Sequence, residues 1–426
     1  MKKYSLHIIT LFILFVAFNK QNFLFAQQQI INLSIAEAET IFMQNNLLII
    51  AEKYNVNIAE ANLIQAKLFE NPELTFEQNI YSDNGQYFDF GKQNVIQLDQ
   101  LFELGGKRRK RTKLEKINLE IAQFQFQDVL RILRNDMREN FIELHYLKKI
   151  TAIYDKGIDY LKKLIEVYDR QHEKGNVSLI EKVRLKALLL DLQAEKIEVG
   201  KERIDVQKEL NILLNQSEQT LVNTTLTIDA IHNFSFDDDT YNHLVKELKN
   251  APQMQIAKKE IQSAQANLKL QKSLKIPNLT VGAIYEREGN VKPENVGLAF
   301  NLSLPIFNRN QGDIAVAEAE FSQTQILYNQ QEKEMINDLF ATYQKANETL
   351  KFFQELDKNL EGDFENLIEG IILNFERKTI NMIEFIDYYE TYKETIVQIK
   401  NIEKDTILSI EAINFLLGKS YFNVLN

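Results

Sequence analysis

The sequence of 426 residues contains no cysteine and no tryptophan. Without cysteine there is no disulfide framework, no thiol nucleophile, no thiolate metal site and no acylated cysteine. Glycine and proline are scarce, with 14 and 5 residues, so most of the chain is expected to be helical. Beyond the N-terminal segment no stretch approaches about 18 uninterrupted apolar residues, so any membrane crossing is expected to use strands.

The N-terminus has the pattern of an export signal. Lys2 and Lys3 precede an apolar segment, 8–18, that is interrupted only by Thr10, and we place cleavage after Ala26. A membrane anchor is the alternative, but the segment is short for a helix that crosses about 30 Å of hydrocarbon. Cleavage makes the formal net charge of −10 more negative. An acidic, exported chain is a poor ligand for nucleic acid, so no nucleic-acid partner is expected.

The chain is internally duplicated. The tripeptide at 61–63 recurs at 266–268, and further matches pair 177–181 with 380–384 in the same order. Each half predicts a helix, two strands, a very long helix, a turn and a long helix. The predicted organisation after the signal peptide (1–26) is a first repeat at 27–217, a linker at 218–236, a second repeat at 237–420 and a C-terminal tail at 421–426.

Each half predicts two strands. In the clearest one, apolar residues occupy every second position from Val296 to Ile306 and alternate with small or polar ones such as Gly297. This alternation suits a strand between lipid and water, although strands of soluble sandwiches alternate as well. The strands are predicted at about 73–82, 94–103, 277–286 and 295–306, with polar loops at 82–93 and 287–294.

Long helices follow each strand pair. From Leu130 to Tyr168, apolar or aromatic residues recur at spacings of three and four, except at Asn140 and Thr151. This spacing is typical of a coiled-coil seam. Proline-free segments predict two unbroken helices, each about 100 Å long at 1.5 Å per residue. The helices are predicted at about 107–172, 178–215, 312–376 and 381–417.

Four strands are too few to close a barrel, whose interior needs about eight or more. Open strand edges are not tolerated in lipid, so strands in a membrane would require several copies to share one barrel. The predicted fold class is therefore α+β and mainly α: duplicated long coiled-coil helices with a four-strand contribution to a shared barrel.

The motifs where strands meet helices resemble the TolC-type outer membrane efflux proteins, over essentially the whole mature chain. They are the Asn-Pro-Glu-Leu sequence at 71–74, the Leu-Phe-Glu-Leu-Gly-Gly-Lys-Arg sequence at 101–108 and the segment at 304–312. The first two look most like the branch that serves heavy-metal efflux pumps.

The resemblance implies a homotrimer with a twelve-stranded transmembrane β-barrel, in contact with outer membrane lipid, and a helical tunnel in the periplasm. It further implies a passive outer membrane duct of a tripartite efflux system that conducts heavy-metal cations. The implied partners are a periplasmic adaptor (membrane fusion) protein and an inner-membrane efflux pump of the RND type. The competing interpretation, a periplasmic coiled-coil scaffold without transport, would not need the strand pairs.

The resemblance also implies the position of a periplasmic aperture. In the family, acidic residues just after the last turn narrow the mouth, and the alignment places Glu384 and Asp387 there. Their spacing puts both on one helix face, and Glu181 is the duplicate of Glu384 in the first half. An ordinary solvated helix face is the alternative.

The two turns between long helices are expected to form the tip on which the adaptor docks. The family turn often has glycine where this chain has Lys378 and a basic residue where it has Ile380. The clasp that some family members form at this turn is therefore expected to be incomplete in this chain. Gly175 also suits a helix end that needs a left-handed residue. The expected docking residues are Lys174, Gly175, Asn176, Val177, Arg377, Lys378, Thr379 and Ile380.

No catalytic or metal-binding constellation is predicted, and no cofactor. The tripeptide at 418–420 resembles the end of a phosphate loop but lacks its first glycine, since Ile413 stands there. The histidines lack metal-ligand spacing, which favours packed or solvated side chains. The basic run at 107–111 is interpreted either as a contact with anionic lipid headgroups or as a solvated face.

Overall fold

A computed structural model of the chain describes residues 29–78, 80–81, 85, 87, 93–227, 229–288, 294–357 and 360–425. The predicted export signal lies outside the described residues, and so do most residues of the loops predicted at 82–93 and 287–294. None of the helices in the described ranges has both the length and the apolar character of a membrane span.

Two series of similar elements follow one another along the chain. The first contains β1 (Ile30–Ser34), α1 (Ile35–Asn45), α2 (Leu47–Lys67), β2 (Glu73–Gln78), β3 (Gln93–Phe102), α3 (Lys107–Glu173) and α4 (Leu179–Leu214). The second contains β4 (Leu221–Thr225), a short 3₁₀ helix (Asp229–Asn233), α5 (Thr240–Leu248), α6 (Pro252–Leu274), β5 (Leu279–Glu288), β6 (Asn295–Leu302), α7 (Gln311–Glu355), α8 (Leu360–Glu376) and α9 (Met382–Leu417).

The strand pairs of the two halves combine into one antiparallel sheet of order β2-β3-β5-β6. Since β3 and β5 pair in its centre, the duplicated units lie side by side. In the described chain, β2 and β6 are left as edge strands. The sheet continues into helices α3 and α6, which contact each other.

The predicted coiled-coil seam of α3 is confirmed. Every seam position from Leu133 to Ile165 is buried except Asn140, which is half-buried. Three clusters of buried apolar side chains result: one joins α1, α3, α4 and α9, one joins α3, α4, α8 and α9, and one joins α5, α7 and α9. Their representative members are Phe42, Phe141 and Ile410, then Leu161, Leu185 and Phe385, then Leu244, Leu339 and Ile413.

A buried ion-pair network fixes the two halves to each other. The guanidinium of Arg138 donates to both carboxylate oxygens of Glu411, at 2.9 and 2.8 Å. Arg138 also donates to Glu39, which accepts a second pair of hydrogen bonds from Arg134. Because these residues belong to α1, α3 and α9, the network holds three helices in one arrangement.

The prediction of one unbroken helix over 312–376 is wrong. Helix α7 ends at Glu355, and Leu356 has extended backbone with φ −63° and ψ 134°. The physical reason lies in the linker: the side-chain amide of Gln354 donates to the carbonyl of Phe234 at 2.6 Å, and Leu356 packs against the first core cluster. These tertiary contacts hold the chain at the break, where the apolar spacing continues.

A second sheet was not predicted. Strands β1 and β4 pair in parallel, from Ile30 with Leu221 to Ser34 with Thr225. One of these strands lies within the segment that the sequence suggested was only a linker. The pair ties the start of the first half to the start of the second.

Candidate functional site

The turn between α3 and α4 is a helix end closed by a left-handed residue. Gly175 has φ 75°, and its N–H donates to the carbonyl of His172 at 2.9 Å. The next N–H, of Asn176, reaches back to the carbonyl of Gln171 at 2.9 Å. Such a pair of bonds satisfies carbonyls that a helix end leaves free.

The turn between α8 and α9 repeats this geometry. Lys378 has φ 62° and donates its N–H to Phe375 at 3.0 Å, and the N–H of Thr379 donates to Asn374 at 2.9 Å. All four residues are the duplicates of those in the first turn. The second turn therefore keeps the conformation of the first although a lysine occupies the position that favours glycine.

Both helices that leave these turns begin with a capping box. Glu181 accepts a hydrogen bond from the N–H of Ser178 at 2.9 Å, and Glu384 accepts one from the N–H of Asn381 at 2.8 Å. The side chains of Ser178 and Asn381 in turn accept from the N–H groups of the two glutamates. Two of the predicted aperture residues thus also stabilise the helix starts.

The two turns lie close together. The hydrogen bonds from the backbone and side chain of Ser178, together with the positive charge of Lys378, lower the pKa of Glu181. Aromatic rings connect the helices behind the turns: Tyr168 stacks on Phe375 at 5.5 Å between centroids, and Phe375 on Phe385 at 4.2 Å. This packing makes one tip from two turns that are about half a chain apart.

The predicted docking residues differ in exposure. The side chain of Val177 is buried and Ile380 is half-buried, so these two support the tip from within. The remaining members of the set are exposed and available to a partner. They are Lys174, Gly175, Asn176, Arg377, Lys378 and Thr379.

The predicted aperture carboxylates lie near the starts of α4 and α9, with Glu181 and Glu384 in the first turns and Asp387 in the second. Glu384 and Asp387 are both exposed, whereas Phe385 between them is buried in the core. Hence the two acids share the side of α9 that faces away from its own core. Glu181 is half-buried at the start of α4.

The four-stranded sheet has one apolar face. Its register aligns Leu74, Leu98, Ala283 and Leu298 in one row across all four strands. The two adjacent rows are apolar as well, apart from Gln100, and Val296 is 82% exposed. At one end of this face, a polar row contains Gln78, Asn94 and Arg287. The apolar side chains of the other rows are suited to contact hydrocarbon rather than water.

The opposite face is polar and acidic, which the sequence reasoning missed. Glu73 lies directly opposite Asp99, and Glu77 shares a row with Glu286. Across this face, the described strand residues include no lysine or arginine. The alternation along each strand could have identified these acids, because each of them is adjacent in sequence to a residue of the apolar face and must therefore point to the opposite face.

The described residues contain no group of three or more histidine, aspartate or glutamate side chains that could hold a metal ion. His145 is packed rather than solvated: burial lowers its pKa to about 4, and Nδ1 lies 3.2 Å from the carbonyl of Thr224. The imidazole is therefore neutral near neutral pH. Because a carbonyl oxygen can only accept a hydrogen bond, Nδ1 carries the hydrogen and donates it to the carbonyl of Thr224.

Comparison with known proteins gives three results. Residues 244–362 match the family model described as outer membrane efflux protein. The chain is 22% identical over 391 residues to the cobalt-zinc-cadmium resistance protein CzcC of Cupriavidus metallidurans, covering 91% of this chain and 90% of that protein. Among solved structures it resembles VceC of Vibrio cholerae (TM-score 0.73, 13% identity, 90% and 96% of the two chains covered). It also resembles CusC (TM-score 0.74, 13% identity, 90% and 92% covered). These likenesses confirm the predicted fold class.

Proposed function

We propose that the chain is an outer membrane efflux protein of the TolC type, and that three copies form a duct that passes heavy-metal cations to the cell exterior. The likeness to outer membrane efflux proteins supports a location in the outer membrane, with the helices in the periplasm, and a role in transport rather than catalysis. The oligomer, the cargo and the identity of the partners are further parts of the proposal.

The two-faced sheet is the observation that carries this proposal. Its apolar face is exposed, its other face is polar, and its edge strands β2 and β6 are open in the described chain. Pairing β6 of one copy with β2 of the next removes these edges, and three copies supply twelve strands. A closed barrel then presents lipid with apolar side chains and encloses the polar face.

An apolar stripe on α4 supports the same assembly. Val183, Leu190, Ile197 and Ile204 recur every seven residues and are 54–66% exposed. A heptad repeat of this kind is a coiled-coil seam that needs a partner helix. In the trimer a neighbouring copy supplies that partner, which extends the shared contact from the sheet to the helices.

The charges favour cations as cargo. The carboxylates of Glu73, Glu77, Asp99 and Glu286 would line the barrel interior, and Glu384 with Asp387 would contribute six carboxylates at the periplasmic mouth. Confined negative charge concentrates cations and excludes anions. The name of the relative, a cobalt-zinc-cadmium resistance protein, favours divalent heavy metals within this class.

The paired turns would bind the remaining partners. We propose that the exposed residues of the tip dock onto hairpins of a periplasmic adaptor (membrane fusion) protein, and that the adaptor connects the duct to an inner-membrane pump of the RND type. Gly175 and Lys378 give the two turns the same backbone shape. Three chains would therefore offer six similar docking points.

A complementation experiment tests the proposal. A strain lacking this gene is expected to lose tolerance to cobalt, zinc or cadmium, and the intact gene is expected to restore it. As matched variants, Leu190→Glu with Ile197→Glu should abolish tolerance by preventing assembly, whereas Glu198→Gln with Glu202→Gln on the same helix should keep it. If the deletion changes tolerance to none of these metals, the proposed cargo is wrong. Recovery of the protein from the soluble periplasm would instead support the scaffold.

A further inference from the structure

A cavity of about 250 Å³ opens between α3 and α6 and is lined mainly by lysine. Its walls are Lys110 and Lys113 of α3 and Lys269 and Lys272 of α6, and Ala266 lies between them. Ala266 is buried, with 5% of its surface exposed. The small side chain lets the two helices approach closely, so that the four lysine stems form the sides of a narrow groove.

The basic surface extends beyond this cavity. Arg109, Lys113 and Lys116 recur at spacings of four and three and are all exposed, which places them on one face of α3. Lys275 continues the exposed basic series of α6 beyond Lys272. In a chain with a net charge of −10, this is a strong local concentration of positive charge.

Neighbouring acids neutralise only part of this charge. Glu318 binds Lys272 at 2.8 Å, and the ammonium of Lys110 donates to the carbonyl of Gly105 at 3.0 Å. Within the described ranges, the side chains of Lys113 and Lys269 make neither an ion pair nor a hydrogen bond. Repulsion between the ammonium groups would be relieved by an anion in the groove.

The groove lies close to the end of the sheet. Helix α3 begins five residues after β3 ends, and α6 ends five residues before β5 begins. Lys113 lies six residues into α3 and Lys269 five residues before the end of α6, so at 1.5 Å per residue the groove lies within about 9 Å of the helix ends that adjoin the sheet. The hydrocarbon core of a bilayer is about 30 Å thick, and the two headgroup layers increase the thickness to about 40–45 Å. Long lysine side chains can extend toward the headgroup layer.

We infer that this basic groove binds the phosphate of an anionic phospholipid in the periplasmic leaflet of the outer membrane. The inference rests on the proposed placement of the sheet in the membrane. The sheet supplies the reason for a lipid rather than free phosphate: Phe102, Leu279 and Leu302 align in one row at the end of the apolar face nearest the two helices. An acyl chain would cross this row and continue over the apolar face while the lysines hold the headgroup.

The test measures lipid binding to the full purified protein in neutral detergent by native mass spectrometry. Phosphatidylglycerol, phosphatidylcholine and inorganic phosphate are the three probes. We expect phosphatidylglycerol to bind and phosphatidylcholine not to bind. Lys113→Gln with Lys269→Gln should weaken phosphatidylglycerol binding by roughly thirtyfold, since each of the two basic residues contributes on the order of 1 kcal/mol near a membrane surface and about 1.4 kcal/mol corresponds to tenfold. Lys162→Gln with Lys163→Gln, two exposed lysines farther along α3, should leave binding unchanged.

Three results would overturn the inference. Equal binding of both phospholipids would show that the negative charge of the headgroup is not recognised. Equal weakening by the two double variants would show that total charge, and not this groove, attracts the lipid. Displacement of phosphatidylglycerol by millimolar inorganic phosphate would identify free phosphate as the ligand. Conductance in bilayers of phosphatidylcholine alone, recorded separately, tests the proposed duct, so the two failures are distinguishable.

Discussion

Lys378 holds the same left-handed backbone position in the second tip turn that Gly175 holds in the first, with φ of 62° and 75°. A side chain with a Cβ costs about 1–2 kcal/mol in this conformation. The second turn therefore has the shape of the first but includes a steric penalty that the glycine of the first turn avoids.

Lys378→Gly should stabilise the second turn by up to about 1 kcal/mol, because glycine adopts a positive φ without the steric penalty but is more flexible when unfolded. Hydrogen exchange of the peptide spanning 370–385, followed by mass spectrometry, should become slower. The reciprocal control, Gly175→Lys, should accelerate exchange around 171–178. Faster exchange in Lys378→Gly would mean that the lysine side chain stabilises the turn.

Gly157→Ala should destabilise the protein by about 1–3 kcal/mol, as expected for overpacking. A Cβ at Gly157 would overlap the hydroxyl oxygen of Tyr389 and lie 2.9 Å from Leu192. Gly370 is the matched control, because a Cβ there meets no heavy atom within 4 Å. Gly370→Ala should be neutral or stabilising, since alanine favours a helix over glycine. Thermal unfolding followed by circular dichroism distinguishes the two; equal midpoints would contradict this packing.

The ion-pair network predicts a specific pH dependence. Burial disfavours the ionised form of Glu39, but hydrogen bonds and charges from Arg134 and Arg138 outweigh it, so its pKa is lowered. A lowered carboxyl pKa gives stability that is present above the unfolded-state pKa and is lost as pH falls through the folded-state pKa. The midpoint difference between wild type and Glu39→Gln should thus be largest at about pH 7 and shrink below about pH 4.

Glu60→Gln is the control for this prediction, because Glu60 is an exposed acid of α2 that makes no ion pair with the described residues. It should show no such dependence. A difference between wild type and Glu39→Gln that stays constant down to low pH would mean that the carboxylate charge of Glu39 does not stabilise the fold.

The aperture can be tested without disturbing the helix start. Glu384→Gln with Asp387→Asn removes both charges, and glutamine can preserve the capping box. Reversal potentials in planar bilayers under a salt gradient should show a lower cation preference, with the thermal midpoint nearly unchanged. Glu390→Gln with Glu394→Gln makes the same change of charge farther along α9 and should have less effect. If both double variants retain wild-type selectivity, the predicted aperture acids form a solvated face.

Much of the architecture could be predicted because it depends on the spacing of apolar residues within single helices and strands. The alternation around Phe300 indicates the apolar face of one strand. The seam around Leu161 indicates the buried side of one helix. The capping boxes were also readable, since Ser178 and Asn381 each precede a glutamate by three residues. The family resemblance alone predicts only an electrostatic role for these glutamates.

The remaining features depend on contacts between distant segments. The pairing of Ile30 with Leu221 brings together strands of five residues from the starts of the two halves. The break after Glu355 depends on Phe234 in the linker. The carboxylates at Glu73 and Asp99 become one feature only once the register places them opposite each other. Local patterns carry no information on such register.

The central claim is that four strands from each chain close a shared barrel, and the mass of the folded protein in detergent tests it most directly. Native mass spectrometry of protein extracted from the outer membrane should show three mature chains. Leu190→Glu with Ile197→Glu should reduce that species, because it places charge on the exposed seam of α4. A stable monomer with native helical content and an intact sheet would contradict the account.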